Sequence, residues 1–391
     1  MELEVYNTNF ERVAICDNYE SLIWTDRYNE IGDFELYFAM DPALLDIYVP
    51  DYYLISYDSE YIMIIEDLKV QTDLEGGDHL IVTGRSLESI LCRRIVWTQT
   101  TVSGSFMKAI DTILKKNVYG PKKATRVIPE FEWSEADKEA TDQSIKDLVI
   151  EETQFTGDVI YDVLKTLCDQ FDVGFSLKRN PETGKFMFNL YNGIDRSYDQ
   201  TDRPCVVFSP DFDNLISSDY TENKSKYCNV TLVAGEGEGP DRRTLEVGDL
   251  EVSGLNRREL FTDARDLSSV IEDDEEEEEE DEPLEPGEQQ EPAEQEEKHM
   301  SDKEYNELLK NRGLEKLKEV EIEKTFDGQV DGRTMYRYGR DFFMGDICQL
   351  SNQYGKEARV RVVEYIHSES TSGIEEYPTF KVLEEKEEEE G

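Results

Sequence analysis

Phe34, Leu36 and Phe38 alternate with Glu35 and Tyr37, a period of two that predicts a half-buried strand. Strands over 52–57 and 61–70 flank Asp58-Ser59 as a hairpin, and Gly76-Gly77 turns the chain into another strand over 79–83. A helical turn at 87–91 follows. Short strands between polar turns predict a small barrel or sandwich over the first hundred residues. The period then changes. Phe106, Ala109, Ile110, Ile113 and Leu114 recur at helical spacing, with Ser103 as the candidate N-cap. Val159, Ile160, Val163, Leu164, Leu167, Cys168 and Phe171 form a second apolar stripe, with Asp158 where the helix dipole favours negative charge. Strands at 173–178 and 186–191, joined through Asn180-Pro181-Glu182-Thr183-Gly184, complete a small α/β layer that ends at Asn192-Gly193.

Strand character returns at 205–208 and 228–234. After Gly235-Glu236-Gly237-Glu238-Gly239-Pro240 periodicity is lost. Residues 272–297 hold 17 acidic side chains, no basic one and three prolines, which predicts a disordered acidic loop over 271–298. Ser301-Asp302-Lys303-Glu304 is a capping box with Tyr305, Leu308 and Leu309 behind it, and predicts a helix over 301–318. Strands at 346–351, 358–367 and 377–383 close the pattern. The expected fold class is mainly β with α+β insertions. The expected organisation is a first β unit over 1–98, an α/β domain over 99–200, and a second β unit over 201–240 and 320–383. An insertion over 241–319 interrupts the second unit, and 384–391 is an acidic tail.

Charge changes the picture. The 391 residues contain 38% hydrophobic positions, enough for real cores, yet the net charge is −48. Setting aside the −17 of the loop and the −5 of the tail still leaves −26. Such a field repels phosphate backbones and anionic membranes, so autonomous binding to DNA, RNA or lipid surfaces is not expected. No stretch approaches the roughly 18 apolar residues of a membrane span, and Met1-Glu2-Leu3-Glu4-Val5 lacks the basic start of a signal peptide. Synthesis in the cytosol without a visible export signal is expected. Cys16, Cys92, Cys168, Cys205, Cys228 and Cys348 are far apart with no C-x-x-C pair, and only His79, His299 and His367 are present. Reduced, mostly buried thiols are therefore expected rather than a disulfide framework or a zinc site.

Candidate chemistry is thin. Gly235, Gly237 and Gly239 follow a strand as a phosphate cradle should, but Pro240 stands where the helix should begin, and Glu236 and Glu238 would repel a pyrophosphate. Asp211-Phe212-Asp213 starts like a calcium loop, but Leu215 occupies the next ligand position; Asp327-Gly328 and Asp331-Gly332 fail as well. No histidine sits in a nucleophile motif, and 90 acidic residues make any chosen carboxylate pair uninformative. No catalytic, cofactor or metal residues are assigned, and no enzyme activity is expected.

An ordered series of motifs carries a resemblance. Phe10–Val13, Tyr19–Tyr28, Gly32-Asp33-Phe34-Glu35-Leu36, Thr83–Leu91 and Arg93-Arg94-Ile95-Val96-Trp97 look like the opening of tail-hub proteins of long-tailed siphophages, also called tail-associated or minor tail proteins. Tyr191–Gln200, Val207-Phe208-Ser209-Pro210, Asn229–Gly239 and Tyr338–Asp346 continue the series. The resemblance covers nearly the whole chain outside the acidic loop and tail. It implies two β-barrel hub domains with smaller α/β elements inserted, in a homotrimer whose six barrels form a pseudo-sixfold ring. That ring would join the distal tail protein to the tip and close the tail channel before DNA delivery. The tape-measure protein and a host receptor or receptor-binding protein are further partners it implies, and the virion tail tip is the implied location. A cell-wall hydrolase and a carbohydrate-binding adhesion protein of the tail tip are the alternative readings. Many relatives carry C-terminal extensions with wall-hydrolase or receptor-binding modules, whereas this chain ends almost at the last hub strand. For single motifs, Gly32-Asp33-Phe34 and Thr83-Gly84-Arg85-Ser86 read as turns, Trp24 and Trp97 as core, and Arg93 and Arg94 as interface partners for acids or as solvated charges.

Overall fold

The computed structural model describes residues 1–73, 77–271, 298–330 and 336–383. The acidic loop and tail expected from the sequence lie outside these residues. Strand Asp33–Ala39 carries the alternation read from its sequence, with Phe34, Leu36 and Phe38 buried and Glu35 exposed. The hairpin about Asp58-Ser59 joins Tyr53–Ser56 to the long strand Ile62–Asp73, which then pairs with Gly77–Ser86.

These strands belong to one large sheet. From its edge at Arg12–Cys16 it passes through Leu3–Tyr6, Tyr53–Ser56, Ile62–Asp73, Gly77–Ser86, Asp33–Ala39 and Ser21–Arg27. It then continues through Glu357–Ser370, Gly373–Val382, Glu323–Val330 and Leu215–Asn223, while Ile347–Ser351 branches off Glu357–Ser370 and carries Val207–Phe208. The pivot is the antiparallel ladder that sets Ser21–Arg27 against Glu364–Ser370. Through it the first and last β regions become a single hydrogen-bonded path. Among the described residues no ladder closes either half into a ring, so the path is an open sheet of mainly β character.

Each half nonetheless curls around its own core. Leu3, Leu22, Trp24, Phe34, Leu54, Met63 and Val82 come from six strands of the first half and meet in one cluster. Phe208, Phe326, Leu350, Val362 and Phe380, from five strands of the second half, meet Phe342 in another. Bulges bend the strands that span both directions, one between Ile65 and Asp67 and one between Val362 and Glu364.

The α/β layer fills a third core. Helix Phe106–Leu114 and helix Ile160–Asp169 bury the stripes read from the sequence, against a sheet of Gly174–Arg179, Phe186–Tyr191 and Phe131–Glu132. The first helix starts two residues later than the N-cap reading: Ser105, not Ser103, holds the cap position, and its side chain makes no cap hydrogen bond. In the insertion, helix Asp302–Lys318 begins at the Ser301–Glu304 capping box, whose two reciprocal hydrogen bonds are both formed. The helix covers one face of a small sheet of Thr244–Gly248, Val230–Ala234 and Glu259–Asp263.

That packing explains the glycine cluster. A Cβ on Gly235 would stand 2.3 Å from the Tyr305 hydroxyl, and Glu236 N–H donates to that hydroxyl at 2.8 Å. The glycine makes room for a helix side chain.

Candidate functional site

Three motifs of the resemblance, Tyr19–Tyr28, Tyr191–Gln200 and Tyr338–Asp346, converge on the place where the two curled half-sheets and the α/β layer meet. Tyr28 follows directly on Ser21–Arg27 and is 2% exposed. Its ring lies edge-on to Tyr191 at 5.2 Å, beneath the Arg361 guanidinium at 5.0 Å. A Cβ on Gly174 or on Gly345 would fall 2.4 or 2.3 Å from that ring. Two glycines from different layers are thus required by one tyrosine. The Tyr28 hydroxyl donates to Asp172 O at 2.8 Å, and burial pushes its pKa up to about 12, so it stays a donor. Tyr191 returns a hydrogen bond to Tyr28 O at 3.0 Å, and Tyr61 donates to Arg27 O at 2.7 Å.

Asp346 ties the motif Tyr338–Asp346 to the motif Tyr191–Gln200. Its buried carboxylate accepts from Ile194 N–H at 2.7 Å, Phe343 N–H at 3.0 Å and Arg196 Nε at 2.7 Å. Gly193 presses so close that a Cβ there would sit 1.8 Å from Gly345 O. Ile347 N–H donates to Ile194 O and Arg196 N–H to Ile347 O, and Arg359 binds Asp195 at 2.9 Å and Asp199 at 3.1 Å. Residues 191–200 therefore act as a strap that fixes the α/β layer to the last sheet.

The ladder between Ser21–Arg27 and Glu364–Ser370 is held at both ends by charge. Arg27 Nε donates to Glu364 at 2.6 Å, and the Met1 amine meets Glu369 at 2.6 Å, with the Tyr19 hydroxyl on the same carboxylate. In the middle, His367 is buried between Glu376 at 2.7 Å and Glu369 at 3.5 Å.

Two carboxylates here escaped the sequence reading. Asp26 is 3% exposed and accepts from Trp24 Nε1 at 2.8 Å and from Ser59 Oγ at 3.0 Å. Desolvation raises its pKa to about 7, the Trp24 and Ser59 hydrogen bonds oppose this, and the nearby Glu88 and Glu60 charges add to the rise. Glu88 accepts from Leu177 N–H at 2.7 Å, its other oxygen has no partner, and burial raises its pKa. A signal for Asp26 was present: Leu22, Trp24 and Asp26 fall on one face of a period-two strand.

Several single-residue readings change. Thr83-Gly84-Arg85-Ser86 is strand and not turn, paired on both sides, and its glycine is needed because a Cβ there would lie 1.8 Å from Ile64 O where the neighbouring strand bulges. Gly32 sits in the connection before Asp33–Ala39 and exchanges hydrogen bonds with Ser86. Trp24 is core, but Trp97, in the connection between the helical turn Leu87–Arg93 and the strand Thr100–Ser105, is 62% exposed while Val96 is buried. Arg93 pairs within its own chain, with Asp51 at 3.0 Å.

A concavity of about 610 Å³ opens beside Tyr28 and Arg361 and is lined by Lys165, Asp169, Lys318 and Lys381. Lys318 donates to Asp169 O and Gln170 O there, and desolvation lowers its pKa. Among the described residues no group of three His, Cys, Asp or Glu side chains is arranged to hold a metal ion. His79 stacks on Tyr37, and Ser269 Oγ lies 3.4 Å from His299 Nδ1.

The comparisons with known proteins find a similar fold in solved tail proteins. More narrowly, the chain belongs to the family described as Siphovirus ReqiPepy6 Gp37-like protein, whose model matches residues 2–380. Its fold is similar to that of the tail protein from Neisseria meningitidis MC58, at 11% identity and a TM-score of 0.52, covering 97% of this chain and 96% of that one. It is likewise similar to prophage tail protein gp18 from Listeria monocytogenes EGD-e, at 10% identity and a TM-score of 0.50, covering 99% and 96%. The 43 kDa tail protein of prophage MuSo2 from Shewanella oneidensis gives 10% identity and a TM-score of 0.51, covering 97% and 98%. No curated protein matches the chain. Among the described residues no helix is long and apolar enough to cross a membrane.

Proposed function

We propose that this chain is the non-catalytic hub of a phage tail tip, a homotrimer that joins the distal tail protein above to the tip below and closes the channel before DNA delivery. The observation that carries this reading is the ladder between Ser21–Arg27 and Glu364–Ser370. It fixes two curled half-sheets side by side in one subunit, so three copies would present six similar units to a sixfold ring. In this reading each curled half is a barrel-like hub domain, built from 1–98 and from 201–240 with 320–383, and the α/β domain 99–200 braces them.

The two ends of the sheet supply surface for such a ring. Val13 and Ile15 are exposed on edge strand Arg12–Cys16, and Ile216 is exposed on edge strand Leu215–Asn223. Unpaired strand edges with apolar side chains favour association. The tape-measure protein is the expected neighbour inside the ring.

Native mass spectrometry at tens of micromolar, followed by negative-stain imaging, tests the proposal. A trimer with a ring-shaped projection is expected, alone or after adding the distal tail protein. A chain that stays monomeric with that partner and digests purified cell wall would overturn it.

A further inference from the structure

Charge is placed unevenly on this acidic chain. Residues 93–129 carry eight basic side chains and one acidic, within a total of −48. The fold gathers both ends of that stretch. Arg94 Nε donates to Arg126 O at 2.8 Å, and Arg126 Nη2 donates to Ile95 O at 3.0 Å. Arg126 also reaches Asn117 Oδ1 at 3.3 Å, and the Trp97 N–H donates to the same oxygen at 3.2 Å. The Arg126 guanidinium lies 4.8 Å over the exposed Trp97 ring. Lys115, on the turn Lys115–Tyr119, and Lys122 and Lys123, just before the turn Ala124–Arg126, are all exposed. Among the described residues no carboxylate is within ion-pair distance of Arg94, Lys115, Lys122, Lys123 or Arg126.

A face with this much unopposed positive charge is a binding surface for an anion. Arg126 already feels the crowding: its pKa is lowered first by desolvation and then by Arg94. The fold also says which anion is nearest. Val270–Ile271 pairs antiparallel with Lys298–His299, so residues 272–297 leave and re-enter the structure at one point. Gln99, two positions from Trp97, holds that point by donating to Val270 O at 3.3 Å. Twenty-six residues can run out and back over about 40 Å at ~3.3 Å each. Seventeen of them are acidic.

We propose that the Arg94–Arg126 face is the docking surface for the carboxylate-rich segment 272–297 of the same chain. An external polyanion must approach against the field of the whole body, whereas the tethered segment is present at about millimolar effective concentration. The inference goes beyond the tail role and does not depend on it.

Zero-length carbodiimide cross-linking of the intact chain, run on a mixture of ordinary and nitrogen-15-labelled protein, is the direct test. Cross-links from Lys115, Lys122 or Lys123 to residues 272–297 within one chain are expected. Cross-links only between copies, or none from these lysines to that segment, would overturn the proposal. A second measurement uses a synthetic 272–297 peptide in fluorescence anisotropy. The chain lacking 272–297 is expected to bind it about tenfold more tightly than the full chain, and K122E/K123E in that background to abolish binding. Equal binding by the full and shortened chains, or binding of duplex DNA but not of the peptide, would overturn it.

Discussion

Trp24 Nε1 donates to the Asp26 carboxylate at 2.8 Å inside the ladder that joins the two half-sheets, and no cation pairs with that carboxylate among the described residues. Its folded pKa of about 7 lies above the ordinary carboxylate value, so the folded state binds the proton more tightly than the unfolded chain. The resulting stabilisation is complete below about pH 4 and is lost as pH rises through about 7. Asp26→Asn is therefore expected to be more stable than wild type at pH 8, by about 1–3 kcal/mol, with the advantage nearly gone at pH 4. Urea unfolding at both pH values checks this; a difference that does not change with pH would mean Asp26 titrates normally.

Removing Arg196 leaves the Asp346 carboxylate buried without its cation. Arg196→Ala should cost about 3–5 kcal/mol, measured by equilibrium unfolding, because the remaining charge has no route to water. Arg196→Lys should recover part of that loss.

Gly193→Ala drives a methyl group into Gly345 O, backbone against backbone, so neither neighbour can step aside as a side chain would. A loss of at least about 3 kcal/mol is expected, with the strap 191–200 becoming open to limited proteolysis. Wild-type stability in this variant would mean the strap does not clamp the layer.

Thiol reactivity should divide the six cysteines in half. Cys16, Cys168 and Cys348 are buried and desolvation raises their pKa, so a thiol reagent should leave them unlabelled in the native protein. Cys92, Cys205 and Cys228 are only partly buried and should react, Cys92 the slowest because desolvation raises its pKa as well. Mass spectrometry of the labelled protein reads the result.

Replacing 272–297 by a two-residue turn should leave the fold intact, since Ile271 already pairs with Lys298. Shortening the loop lowers its closure entropy by about 0.6 kcal/mol per halving, which offsets the loss of the proposed charge contact. Circular dichroism and a thermal melt within a few degrees of wild type are expected; loss of the folded state would refute this.

What could be read from the chain follows the strength of its periodicity. Strand Asp33–Ala39, helix Ile160–Asp169 and the capping box at Ser301 each carry a local pattern that their own burial enforces. Strands Leu215–Asn223 and Glu323–Val330 were not legible. Their sequences, LISSDYTEN and EKTFDGQV, have little alternation; they lie toward a sheet end, and Leu215 and Phe326 are the core positions they supply among the described side chains. The ladder at Ser21–Arg27 was invisible for another reason: nothing in a strand names its partner hundreds of residues away. Net charge averages over position, and the −48 total conceals the basic stretch at 93–129. The junction was legible only as conspicuous motifs; that Gly174 and Gly345 both answer to Tyr28 is knowledge of contact alone.

The same ladder sets a schedule for biosynthesis. Arg27 and Glu364 are 337 positions apart, so at about 5–20 residues per second the first half-sheet waits roughly 20–70 s for its neighbour. Throughout that interval Ser21–Arg27 is an unsatisfied edge on a nascent polypeptide, able to pair with any other extended chain. High contact order makes the last step slow as well. Expression at reduced temperature, or with a holding chaperone that covers that edge, should therefore raise the yield of native protein more than any change to its finished surface.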